Sequence, residues 1–240
     1  MLSFTKEQKI VKQAEGTEQP VRKMYHITYQ KVFWLFVFGS LLGVPLEGFW
    51  TLAHFGHWET HVVSVWGPFC ILYGIGLAVS YIGAVAFQNH GRIFQFFAFS
   101  LIGSAVELAS GSLVAQWLHM YAWDYSKHFM NYKGYVSLAM SVMWGVLGIA
   151  FTFLVPFIER IFQRMQGKVW KGICIVLSVF LLFDFVVTGM SLARWRDRHE
   201  NVPATTQIER TIDKNFPNDW MKHRFCEWKF LDEKPSLAGK

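Results

Sequence analysis

Long apolar runs alternate with short polar connections along this chain. A helix needs roughly 20 mostly apolar residues to cross a bilayer, and five runs are long enough: 32–55, 67–87, 93–118, 134–158 and 169–192. None shows the strict alternation over about ten residues that marks a strand of a membrane barrel. In hydrocarbon each run is therefore predicted to be a helix, which satisfies its own backbone donors and acceptors. The first run follows 31 polar or mixed residues, too many for a signal-peptide n-region, and is predicted to be retained. The pattern divides the chain into a polar N-terminal segment (1–31), an all-α polytopic membrane bundle of about five transmembrane helices (32–192) and a polar tail (193–240).

Composition agrees with the pattern. Only 17% of the 240 residues are charged and 52% are hydrophobic, against about 25% charged in soluble domains. That argues against a soluble enzyme and excludes a disordered chain. Three cysteines build no disulfide framework, and no Cys/His zinc spacing occurs. The net charge of +6 is unevenly spread. Lys6, Lys9, Lys12, Arg22, Lys23 and Lys31 precede or open the first run, and Arg160, Arg164, Lys168 and Lys171 surround the fourth connection. The first connection has no Lys or Arg, the second carries Arg92, and the third has Lys127 and Lys133. This bias predicts a multi-pass protein of the cytoplasmic membrane with its N-terminus in the cytoplasm. Five spans then place the tail outside, whereas Arg194, Arg196 and Arg198 directly after the fifth run pull the other way. The tail holds ten Lys/Arg and eight Asp/Glu, so its field is too weak for a nucleic-acid arm.

Three carboxylates interrupt the apolar runs: Glu47, Glu107 and Asp184. Charge at that depth is costly, and such residues are candidates for proton or ion handling. Gly39, Gly43 and Glu47 recur at four-residue intervals, as do Gly103, Glu107 and Gly111. Each set shares one helix face, so both glutamates are predicted to point at a closely packed neighbouring helix. Ser137, Ser141 and Gly145 form a similar stripe on the fourth run, and Thr188 lies one turn beyond Asp184. Three roles stay open for the carboxylates: polar glue between helices, proton or cation handling, and acid/base catalysis. Neither a nucleophile nor a metal cluster accompanies them. The recurrence of Gly-x-x-x-Glu also hints at a duplicated helix pair. His54, His57 and His61 in the first connection are weak metal candidates, and their spacing is not that of a zinc-protease helix. No phosphate-binding Gly-x4-Gly-Lys-Ser/Thr loop, nucleophile elbow or dinucleotide fingerprint occurs. No cofactor is expected.

A family resemblance rests on several pieces in order: Gly39-Ser40-x-x-Gly43-x-x-x-Glu47, Gly67-Pro68-x-Cys70-x-x-Tyr73-Gly74, Glu107, Trp123-Asp124-Tyr125-Ser126, and Gly134-x-x-Ser137-Leu138-x-x-Ser141-x-x-Trp144-Gly145. Together they resemble the bacterial membrane proteins called putative ABC-transporter type IV, or CmpB-like, over roughly residues 30–190. The chain departs from that pattern at His61-Val62-Val63, where Asn-Arg-Gly is expected, and at Ile71-Leu72, where a proline usually stands. The resemblance implies a transporter or permease component that works with a separate ATPase subunit. The lipid bilayer is the expected surrounding and a homo-oligomer is compatible. A candidate intramembrane polar site then comprises Glu47, Glu107, Asp184, Tyr73 and Ser141, capped by Trp123, Asp124 and Tyr125. Two alternatives are a non-transporting envelope scaffold or regulator, and an intramembrane enzyme acting on a lipid-linked substrate.

Overall fold

The computed structural model describes residues 25–58 and 62–234. Five helices form the bundle: α1 (Tyr29–Phe55), α2 (Ile71–Ala86), α3 (Arg92–Leu118), α4 (Leu138–Arg164) and α5 (Lys168–His199). The tail adds α6 (Gln207–Asn215) and α7 (Asn218–Arg224). A two-residue strand β1 (Met120–Tyr121) pairs antiparallel with β2 (Lys229–Phe230). Among the described residues, α1, α3, α4 and α5 are long and apolar enough to cross a membrane. The chain is thus an all-α, multi-pass membrane protein.

Local chemistry sets the helix ends. Thr28 Oγ1 accepts from Lys31 N at 3.4 Å to open α1, and Ser137 Oγ accepts from Met140 N at 3.4 Å to open α4. Such caps satisfy amides that have no partner within the helix. Gly56 closes α1 in the left-handed region at φ 75°, which glycine adopts without strain.

The second apolar run departs from expectation. It is continuous in sequence, yet only 16 residues of it are helical. At 1.5 Å per residue, α2 covers about 24 Å, less than the roughly 30 Å hydrocarbon layer. The residues before it, from Val62 to Cys70, are extended or bent. They lie beside the middle of α1, where Cys70 N donates to Ser40 O at 3.0 Å. Non-helical backbone at such depth is tolerated only where its polar groups are satisfied by protein; here Val62, Ser64, Val65, Phe69 and Cys70 are buried, while Trp66, Gly67 and Pro68 are exposed. Val65 N donates to Thr188 Oγ1 at 2.9 Å and Trp66 N to Asp184 Oδ1 at 3.0 Å. From the tail, Arg224 Nε donates to Ser64 O at 2.9 Å and its Nη2 to Gly67 O at 2.5 Å.

Two hairpins make the bundle. α1 packs along α2, and α3 along α4. α2 also meets α3 and α4, while α5 leans on α1 and α3. Gly39 and Gly74 bring α1 and α2 together: a Cβ on either would stand 2.7 Å from a backbone oxygen of the other helix. The main core runs through Phe33, Leu35, Val37, Tyr81, Phe99, Phe151, Val155 and Leu181. A second core joins Leu192 and Trp195 of α5 to Ile212, Met221, Phe225 and Phe230 of the tail.

The tail caps the bundle end opposite the N-terminus. Its three arginines on α5 are neutralised locally: Arg194 Nη2 pairs with Asp213 Oδ2 at 2.8 Å, Arg196 Nη2 with Asp197 Oδ1 at 2.5 Å, and Arg198 with Asp213. These charges therefore help to hold the folded cap together.

Candidate functional site

Counted from the helix ends away from the tail, Tyr73, Glu107, Asp184 and Glu47 lie at about 20, 22, 24 and 27 Å. They share a depth toward the capped end, yet they form two separate groups.

The first group is Glu47, Tyr73, Tyr125 and Glu107. The Tyr73 hydroxyl, at the start of α2, donates to Glu47 Oε2 on α1. Gly43 makes this possible, because any side chain there would collide with the Tyr73 ring. Glu107 is 3% exposed. The Tyr125 hydroxyl and the Trp144 indole of α4 lie against its carboxyl group. The indole stops short of a hydrogen bond: Trp144 Nε1 and Glu107 Oε2 are both buried without a partner. Gly103 accommodates Trp144 as Gly43 accommodates Tyr73. In each hairpin, then, a glycine four residues before a glutamate admits an aromatic side chain from the following helix; the Tyr73 hydroxyl bonds its glutamate, whereas the Trp144 indole only lies beside its own. Tyr125 lies within electrostatic reach of both Glu107 and Glu47. Burial, together with those two charges, pushes its proton affinity above the ordinary value, which keeps the hydroxyl a donor.

The loop that delivers Tyr125 is rigidly built. Asp124 Oδ1 accepts from Ser126 N at 2.9 Å and Oδ2 from Ser126 Oγ at 3.0 Å. Trp123 Nε1 donates to Tyr135 O at 3.0 Å, and Tyr125 N to Gly134 O at 2.8 Å. Lys234 from the tail pairs with Asp124 Oδ1 at 3.0 Å. Burial alone would raise the Asp124 carboxyl, but Lys234 and both Ser126 donors hold it below the usual range. Trp123 and Asp124 thus shape the turn that carries Tyr125 over the bundle. Ser141 lies on the α3–α4 interface, with its Oγ 2.7 Å from Ser104 Oγ and donating to Ser137 O at 3.0 Å.

Asp184 belongs to the second group. It is fully buried and accepts from Trp66 N and, at 3.5 Å, from Thr188 Oγ1. Arg224 lies within electrostatic reach. Asp184 therefore faces the extended segment rather than the two glutamates. Of the histidines, His54 stacks on Trp50 with centroids 3.6 Å apart and is exposed, His57 is exposed, and His61 lies outside the described residues. Among the described residues, no group of three His, Cys, Asp or Glu is placed to hold a metal.

One further buried carboxylate, besides Glu107 and Asp184, was not read from the sequence. Glu159, one residue beyond the predicted fourth span, accepts from Lys31 Nζ at 2.9 and 2.7 Å and from the Tyr81 hydroxyl. This cluster ties α1, α2 and α4 together at the end away from the tail. Its only sequence signal is a carboxylate flanked by Ile158 and Ile161 near the end of an apolar run.

The family described as Putative ABC-transporter type IV matches residues 34–189. That stretch is well over half of the chain and includes Glu47, Tyr73, Glu107, Tyr125, Ser141 and Asp184, so the chain belongs to this family. Comparison with curated proteins and with solved structures finds no significant match.

Proposed function

We propose that this member of the Putative ABC-transporter type IV family is a permease-like component of a bacterial cytoplasmic-membrane transport system, in which Glu107 and Glu47 exchange a proton through Tyr125 and Tyr73. The observation that carries the reading is Glu107 itself. It is a carboxyl group buried in the bundle, with one oxygen unpartnered and two donors beside it. Intramembrane carboxylates in such surroundings mark proton relays. A proton needs no cavity, which suits a site this closely packed. If hydrolysis drives transport, a separate subunit supplies it, because the chain has no phosphate-binding loop. The Lys/Arg bias puts the N-terminus in the cytoplasm, and Tyr125 then approaches from outside.

The competing reading is structural. The Tyr73–Glu47 bond joins two helices and would serve as glue without any proton movement. Charge displacement separates the two. Proteoliposomes of the purified chain on a solid-supported membrane are given an outward-to-inward pH jump. The proton reading expects a transient current that is abolished in Glu107→Gln and reduced about a hundredfold or more in Glu47→Gln, on the scale of losing one proton-transfer group. No current in the wild type, or full current in both folded variants, contradicts it.

A further inference from the structure

At the end of the bundle away from the tail, α4 and α5 are joined by only three residues, Met165, Gln166 and Gly167. Four cations surround this turn. Arg160 and Arg164 are one turn apart on α4, and Lys168 and Lys171 share a face in the first turn of α5. All four are exposed, and no ion pair involves them among the described residues. The sequence explains their isolation. Glu159 is the only carboxylate between residues 151 and 183, and it is already taken by Lys31 and Tyr81. The segment before α1 does not compensate either, since residues 1–28 carry five Lys/Arg against three Glu.

The surroundings of the turn are apolar. Phe157 is 61% exposed and Ile161 38% on α4, and Val169 is 73% and Ile173 44% on α5. The turn is also held in place. Gln30 Nε2 donates to Met165 O at 3.1 Å, and Trp170 packs edge-on against Trp34 with centroids 5.5 Å apart. A short turn held by Gln30 and Trp34 thus carries four exposed cations without an ion pair among the described residues, beside exposed aliphatic and aromatic side chains. Long basic side chains in that setting extend toward the headgroup layer while their stems lie along the acyl chains.

We infer that the α4–α5 turn is a binding site for an anionic phospholipid, with its phosphate headgroup between Arg160, Arg164, Lys168 and Lys171 and its acyl chains along Phe157, Ile161, Val169 and Ile173. A soluble phosphate would satisfy the cations but not the apolar flank, and an acidic protein surface would have no use for it. Positive charge at a cytoplasmic helix end favours anionic lipid in general. Here four such charges lie within five residues of one three-residue turn, so selectivity should survive extraction from the bulk membrane. The site is independent of the Glu107 site and does not rest on its function.

The test uses the full chain, reconstituted in vesicles of equimolar phosphatidylcholine and phosphatidylglycerol, then extracted in mild detergent. Lipid retained by the protein is measured by mass spectrometry. The wild type is expected to retain phosphatidylglycerol over phosphatidylcholine by on the order of tenfold, and the preference should fall as salt is raised. The variant R160Q/R164Q/K168Q/K171Q should retain both lipids equally, whereas R160K/R164K should keep the preference. Should the first variant fail to insert, the salt dependence of the wild type decides. Equal retention by the wild type overturns the inference. So does a salt-insensitive preference, or displacement of the lipid by inorganic phosphate, which would make the turn a soluble-anion site.

Discussion

Two glycine–glutamate pairs give the bundle its chemistry. Gly43 and Gly103 matter for what they leave out: any side chain at either position would overlap the Tyr73 or Trp144 ring. Gly103→Val should therefore force Trp144 off Glu107 and lower stability by about 1–3 kcal/mol or more, as overpacking does. A denaturation series in detergent measures this, and unchanged stability would show that the α3–α4 packing is loose. Tyr125→Phe removes one hydroxyl and little volume. It is expected to leave the melting midpoint nearly unchanged while weakening the pH-jump current severalfold, in contrast to Trp123→Ala, which should disorder the loop itself. The positions of these residues were legible in the sequence, because four-residue spacing and small neighbours mark an inward helix face. Their partners were not. That Tyr125 reaches both glutamates depends on how a loop folds over the bundle, and no local period encodes that. Glu159 escaped notice for a different reason: near a run's end, a carboxylate beside Arg160 reads as flanking charge, and only the fold brings Lys31 to it.

At the level of elements, α2 is the departure that organises the rest. A continuous apolar run concealed its short length, since the largely buried extended residues before it are as apolar as helical ones. Pro68 and Gly67 were the local signs of a late helix start, with Gly67 at φ 79°. Holding that extended segment falls to Asp184, whose partner amide at Trp66 is more than a hundred residues away in sequence. Asp184→Ala should leave a buried amide unsatisfied and cost about 1–3 kcal/mol. Because Tyr73 follows the segment directly, the same variant should also reduce the pH-jump current. A stable, fully active Asp184→Ala protein would separate the segment from the site. The tail cap gives a pH prediction. Burial tends to raise the Asp213 carboxyl, but the Arg194 and Arg198 guanidinium groups overcome this and hold it below its ordinary 3.8. A depressed carboxylate contributes stability that is present above the ordinary value and lost as pH falls through the depressed one. Limited proteolysis of the 200–234 region should thus be constant from neutral pH down to about that value and accelerate below it.

The whole molecule is two helix hairpins and a fifth long helix, closed at one end by a folded tail and at the other by the Lys31–Glu159–Tyr81 cluster. The five bundle helices and the membrane character of the chain were legible from run lengths, although α2 falls short of the four that are long and apolar enough to cross a membrane. The folded tail was not, because its contacts are long-range: Arg194 with Asp213, Met120 with Phe230, and Arg224 with Ser64. Orientation can be read with the chain's own cysteines. Cys70 and Cys174 are buried and Cys226 in the tail is exposed. A membrane-impermeant maleimide applied to intact cells should label the protein once, and Cys226→Ser should abolish the labelling. Labelling only after permeabilisation would place the tail in the cytoplasm and reverse the topology.

The most direct test of the central claim is infrared difference spectroscopy of the reconstituted protein across a pH titration. If Glu107 and Glu47 exchange a proton with water through Tyr125, the wild type shows a titrating carboxylic-acid C=O band that shifts in heavy water. Glu107→Gln loses its main component and Glu47→Gln alters the remainder. A wild-type spectrum without a titrating carboxyl band, or one unchanged in both variants, would show that these glutamates hold helices together and move no proton.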